Sequence, residues 1–207
     1  MKRILPLLLL ALLFASCATS KKTVQCLPAH QDVDRIKEKI WNLCSNCPDF
    51  PLCIIEDPEP IAAIDSKNSI ALSTGLLAVS STPGQEVFLD CVLAHELSHY
   101  TLNHFAKQNI LSTTASIGLS IANAFIPGIG YADYLINPTL TSVFSRSQEL
   151  DADTNAVRML RNAFVSKPQE EYLNFLLYFQ EHVPHKKSIW ATHPSWEDRI
   201  EAVKKEN

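Results

Sequence analysis

Apolar residues recur at Val33, Ile36, Ile40, Leu43, Cys44 and Cys47, at intervals of three and four, which predicts an amphipathic helix from Gln31 to Ser45. Pro48 and Pro51 end it, since proline cannot continue the helical hydrogen-bond ladder. The period then shortens. Leu52 to Glu56, Ile61 to Ile64 and Ser69 to Ser73 read as short strands, separated by turn signals at Asp57-Pro58 and from Asp65 to Asn68. Helical spacing returns with a short helix capped by Thr74 and running through Val79. After the Thr82-Pro83-Gly84 break, a long helix is expected from Gln85 toward Lys107. Further helices are expected near 112–125, 146–164, 168–182 and 195–204. A small sheet among many helices makes the expected class α+β, mostly α.

The amino terminus has a different pattern. Lys2 and Arg3 precede an uncharged run from Ile4 to Phe14 and the small residues Ala15 and Ser16, the layout of an export signal. This run is too short to span a bilayer, which takes about 20 helical residues. Leu13-Phe14-Ala15-Ser16-Cys17 resembles a bacterial lipobox, so residues 1–16 read as signal peptide, with Cys17 carrying the lipid, palmitate included. Residues 17–30 then form the tether, and 31–207 the folded domain. The alternative is ordinary cleavage near Ala18 and a soluble secreted product. Because Ala18 is not the aspartate associated with inner-membrane retention, the expected place is the outer membrane of the envelope, facing the periplasm.

Composition changes this picture little. The chain has 207 residues, 46% of them hydrophobic, which is enough for a core that needs no staples. A net charge of −4 with no long basic run argues against a nucleic-acid surface. Export makes the cysteines disulfide candidates: two bridges are expected among Cys26, Cys44, Cys47 and Cys53, with all pairings open, and a buried thiol at Cys91. A four-cysteine zinc site through Cys44-x-x-Cys47 is the competing reading. The uncharged stretch 108–132 reads as a core or lid helix rather than a membrane span, because it carries Ser, Thr and Asn and the Pro127-Gly128 break.

The candidate chemistry centres on His95-Glu96-Leu97-Ser98-His99. Residues four apart on a helix lie one turn above each other, so His95 and His99 can grip one ion from one face. Glu96 is rotated by about 100° from His95, where a carboxylate can reach a metal-bound water as a general base. A catalytic zinc takes three protein ligands and keeps a position open. The best third candidate is Glu149, in Glu149-Leu150-Asp151-Ala152-Asp153. Glu149 and Asp153 are again four apart, so one can bind the ion while the other accepts the free ring N–H of a liganding histidine. His104 competes for the third place, but on a continuous helix it would lie about 180° from His95, so it reads as a residue that supports a ligand or lies on the surface. Arg146 could support either carboxylate or lie on the surface, and Tyr100 and His185 are given no part in the chemistry.

Taken together, Leu93-Ala94-His95-Glu96-Leu97-Ser98-His99, the Glu149-Leu150-Asp151-Ala152-Asp153 element and the closing Thr192-His193-Pro194-Ser195-Trp196-Glu197-Asp198-Arg199-Ile200 resemble the M48 family of zinc metallopeptidases. The likeness is greatest to small exported bacterial members. It implies a gluzincin-like fold with an H-E-x-x-H active-site helix and a zinc metalloendopeptidase activity on misfolded or envelope proteins. A single zinc ion per chain would sit on His95, His99 and Glu149, with Asp153 beside it, Glu96 as base and His193 as oxyanion donor. The implied partners are a polypeptide substrate, the membrane through the lipid anchor, and an envelope protein. The rival reading is a lipid-anchored binding or chaperone-like protein with an occluded zinc site. Two departures from the family pattern stand out. Ser98 replaces a usual glycine, and Ala62 to Leu72 replaces the family's substrate-strand motif, so Ser69 to Ser73 is the candidate edge for pairing with a peptide backbone.

Overall fold

The computed structural model describes residues 26–27, 29–65, 67–107, 144–183 and 195–206. The signal, Cys17, the expected helix at 112–125, His185 and His193 lie outside the described residues. The first helix, α1 (Val33–Leu43), buries Ile36, Ile40 and Leu43 on one face, as its apolar stripe dictates. Just past its end Cys44 is bridged to Cys47, and Cys26 is bridged to Cys53 across 27 residues. Cys91 is a buried free thiol. All four amino-terminal cysteines are therefore in disulfides, and none is a zinc ligand.

Strands β1 (Leu52–Ile55), β2 (Ala62–Ile64) and β3 (Ile70–Ser73) form a sheet in the order β1-β3-β2. β1 runs parallel to β3, with Leu52 opposite Ile70, and β2 runs antiparallel to it, with Ile64 opposite Ile70. This corrects the expectation that Ser69 to Ser73 forms an edge: β3 is the central strand. Ile70, Ala71 and Leu72 are fully buried, and an unbroken apolar run suits a strand covered on both faces and paired on both sides. The outer edge of β1 is partly covered by Cys26, which bridges to Ile55. Among the described residues no strand pairs with the outer edge of β2, where the Ile64 N–H donates to Glu96 Oε2. The Ser73 N–H donates to the Ile61 carbonyl and the Asp65 N–H to the Ser69 carbonyl, so the main-chain groups of the alternating residues Ala62 and Ile64 face away from β3.

Helix α2 (Thr74–Val79) starts directly from β3. Its cap is Ser73 rather than Thr74, with Ser73 Oγ accepting the Leu76 N–H at 3.1 Å. Thr74 instead uses its hydroxyl on the β1–β2 connection, accepting from the Asp57 N–H and donating to the Asp57 carbonyl. A Cβ at position 75 would lie 2.1 Å from the Pro58 carbonyl oxygen, so only Gly75 allows that approach.

The centre of the molecule is α3 (Phe88–Thr101), which packs against α1, α2, β2, α4 (Arg146–Asn162) and α5 (Pro168–His182). Helix α6 (Trp196–Lys204) closes over α4 and α5. A helix surrounded in this way is apolar on nearly every side, and Leu89, Val92, Leu93 and Leu97 are fully buried. Cutting any of these leucines to alanine would cost about 2–5 kcal/mol. The expected helix to Lys107 is interrupted: Leu102 ends α3, Asn103 takes a left-handed φ of 56°, and His104 begins a new helical turn. Asparagine tolerates that conformation better than most residues. Among the described residues no helix is long and apolar enough to cross a membrane.

Candidate metal centre

One turn of α3 sets the His95 and His99 rings with their Nε2 atoms 3.2 Å apart. Glu149 enters from the first turn of α4, its Oε2 3.3 Å from His95 Nε2 and 3.8 Å from His99 Nε2. That turn is secured by a capping box: Ser145 Oγ accepts the Gln148 N–H, and the Ser145 N–H donates to Gln148 Oε1 at 2.9 Å. The positive end of the α4 dipole also favours a carboxylate at this position. All three residues are at most 1% exposed, and their ligand atoms lie within 4.8 Å of one another.

These separations fit zinc. Tetrahedral bonds of the usual zinc–nitrogen and zinc–oxygen lengths put ligand atoms about 3.3 Å apart, close to the spacings of the His95, His99 and Glu149 atoms. Two histidines and a carboxylate also match the chemical preference of a catalytic zinc, which keeps a fourth position open. Without an ion, three buried groups that compete for few protons would be costly to keep together.

A chain of ionic contacts holds His95. Its Nδ1 is 2.9 Å from Asp153 Oδ1, one turn along α4 from Glu149. Asp153 in turn accepts from Arg199 Nε at 2.8 Å and from a second guanidinium nitrogen at 2.6 Å, a forked pair between fully buried partners. The Tyr172 hydroxyl donates to the same Asp153 oxygen at 2.8 Å. Burial alone would raise the Asp153 pKa, yet the Arg199 charge, that hydrogen-bonded fork and His95 hold the carboxyl well below the usual range. Burial likewise opposes charge on the His95 ring, but hydrogen bonds that the ring donates to Asp153 and Glu149 outweigh it and bring the ring to about 9.

His99 rests on neutral and aromatic neighbours. Its Nδ1 is 3.0 Å from His104 Nδ1, and Phe144 stacks on its ring at 3.8 Å between centroids, nearly parallel. The His104 carbonyl accepts from Gln148 Nε2 at 3.1 Å, which links the break after α3 to the capped start of α4. Burial, then the positive charge of Lys107, lowers the His104 pKa.

Glu96 is buried beside this set, with Oε2 accepting the Ile64 N–H of the β2 edge at 2.9 Å. Burial is the main reason its pKa rises to about 7; positive charge on His95 works against the rise.

The expected ligands His95, His99 and Glu149 thus come together, with Glu96 and Asp153 next to them. His193 and Cys17 lie outside the described residues. Arg146 is exposed and pairs with Asp198, so it supports neither carboxylate. Tyr100 packs edge-on against Phe50. The placement of His104 on the far side of a continuous helix is corrected: the break at Leu102–Asn103 folds it back onto His99. Two residues of the site are given no part by spacing or motif: Arg199, which lies in the closing His193-Pro194 element, and Tyr172. Both left a signal. Arg199 lies on the buried stripe Trp196, Arg199, Ile200, Val203, and Tyr172 on the stripe Tyr172, Phe175, Leu176, Phe179. A cation on a buried stripe has to meet an anion.

Two histidines from one helix turn, a glutamate from a second helix and a neighbouring buried carboxylate are the donor set of a zinc hydrolase. The model of Peptidase family M48 matches residues 32–207, and the chain belongs to that family of zinc-dependent metallopeptidases. No curated protein matches the chain.

Proposed function

We propose that the protein is a zinc endopeptidase in which His95, His99 and Glu149 hold the ion and Glu96 is the general base. The convergence of the three ligand atoms beside a buried glutamate carries this reading. A zinc ion held by His95, His99 and Glu149 would supply Lewis-acid chemistry, bringing the pKa of a water toward about 7 and polarising the scissile carbonyl. Glu96 has Oε2 engaged by Ile64, which leaves Oε1 to take the proton from that water and return it to the leaving amine. A substrate in extended form can lie along β2 and pair with the outward main-chain groups of Ala62 and with the Ile64 carbonyl, the Ile64 N–H being held by Glu96, a mode that reads backbone more than side chains. His193 is proposed as the donor to the developing oxyanion. Lipid attachment at Cys17 would place the enzyme on the outer membrane facing the periplasm, with misfolded or envelope proteins as substrates. Uptake of labelled palmitate by wild type, and its absence in Cys17→Ala, tests the anchor.

The near-complete burial of the three ligands favours a second reading, a lipid-anchored binding or chaperone-like protein with an occluded zinc site. Zinc content and cleavage of an unfolded protein, measured for wild type and Glu96→Gln, separate the two. The peptidase reading expects about one zinc in each and cleavage by wild type only. Zinc in both with cleavage by neither moves the binding reading ahead.

A further inference from the structure

We infer that His104 is a positioning residue for His99: as a neutral imidazole it accepts the His99 Nδ1–H on its own Nδ1, and so keeps the His99 Nε2 lone pair turned toward the metal position. The inference rests on the zinc reading above. The His99 Nε2 faces His95 Nε2 at 3.2 Å and Glu149 Oε2 at 3.8 Å, so that nitrogen is the one that must be free of a proton to bind a metal. The proton of a neutral His99 is then on Nδ1, 3.0 Å from His104 Nδ1. Two ring nitrogens at that distance share a single proton. With His99 the donor, His104 must present a lone pair at Nδ1 and carry its own proton on Nε2.

Burial makes this arrangement telling. His104 is fully buried, and among the described residues its Nε2 has no hydrogen-bond partner. An unpartnered buried N–H is destabilising, so a phenyl or leucyl side chain would suit the packing beside Phe105 and Phe144 better than this imidazole does. What the imidazole adds is the acceptor for His99. Two backbone features bring it there. Asn103, with φ of 56°, turns the chain after α3, and Gln148 Nε2 holds the His104 carbonyl at 3.1 Å. Gln148 precedes Glu149 and completes the cap of α4, so the same contact aligns both ligand-bearing helices.

The deciding experiment compares the full chain with His104→Leu and His104→Asn, reading zinc affinity by chelator competition and melting of the metal-free protein. Removing a partner of a metal-bound histidine weakens binding by about 10–100-fold, and a neutral partner places His104→Leu near about tenfold. The metal-free melting temperature of His104→Leu should match or exceed wild type, because an unpartnered donor is gone. Asn Oδ1 stands where His Nδ1 does, so His104→Asn should recover most of the affinity. Nitrogen-resolved imidazole NMR of zinc-loaded wild type should show His99 protonated on Nδ1 and His104 on Nε2. Wild-type affinity in His104→Leu, or a proton on His104 Nδ1, overturns the inference while leaving the zinc reading intact. Failure of wild type to bind zinc overturns both. Should His104→Leu fail to fold, the wild-type tautomers and His104→Asn still decide.

Discussion

His95 and His99 stand one turn apart on α3, yet opposite means steady them. Behind His95 is a charged chain that gathers Asp153 from α4, Tyr172 from α5 and Arg199 from α6. Behind His99 are a neutral histidine five residues away and the face of Phe144. A carboxylate strengthens a metal-bound imidazole more than a neutral acceptor does, but a buried carboxylate needs its own cation, and each buried ion carries several kcal/mol of desolvation. Behind Asp153 that cation is Arg199. A neutral acceptor on the other side avoids a second buried charge next to Glu96 and Glu149. The charged side therefore depends on the docking of three helices, whereas the neutral side draws on the turn after α3 and the capped start of α4.

The most damaging way to break this asymmetry is Arg199→Met. It takes the guanidinium away from a buried carboxylate, and we expect a loss of about 3–5 kcal/mol in denaturant unfolding of the metal-free protein. Acid titration sharpens the same point. Since Arg199 depresses the folded-state pKa of Asp153, its contribution is fully present above the unfolded value near 3.8 and fades as pH falls below it toward the lower folded value. Unfolding of the metal-free protein measured across that range should show a steep acid loss in wild type and a shallower one in Arg199→Met. Equal slopes would mean that Arg199 does not hold Asp153.

A step smaller is Asp153→Asn, which removes the charge behind His95 and should weaken zinc binding toward about 100-fold, the upper part of the range for such partners. Chelator competition run beside His104→Leu compares the two sides directly. If the His104 variant loses as much as the Asp153 variant, the charged side has no special weight. The smallest effect belongs to Tyr172→Phe, which deletes one hydrogen bond to Asp153 and should cost about 0.5–1.5 kcal/mol by denaturant unfolding, with zinc affinity falling less than in Asp153→Asn. A loss as large as that of Arg199→Met would show that the hydroxyl, not the guanidinium, anchors the carboxylate.

Much of this architecture is legible along the chain. The stripe of Ile36, Ile40 and Leu43 marks the buried face of α1, and α4, α5 and α6 begin and end within a few residues of where caps and prolines put them. His95, His99, Glu149 and Asp153 are legible because a four-residue spacing is local geometry. Other features require contacts that spacing does not encode. Three short strands do not reveal their order, so nothing in the pattern says that β2 rather than β3 lies at the edge. Ser73 and Thr74 are both good caps, and the choice between them comes from the Asp57 loop that occupies Thr74. The turn at Asn103 is masked by apolar spacing that continues beyond it. Among the equivalent cysteine pairings, the folded path alone selects Cys26 with Cys53.

Periodicities, caps and the donor set on α3 and α4 follow from the chain alone, since they arise from bonds and spacings within one or two helical turns. What stands behind each metal-facing ring was settled by packing. Arg199 and Tyr172 reach Asp153 across 46 and 19 residues. Such pairings exist only after the helices have packed, because they arise where buried charge has to find its counterpart in space.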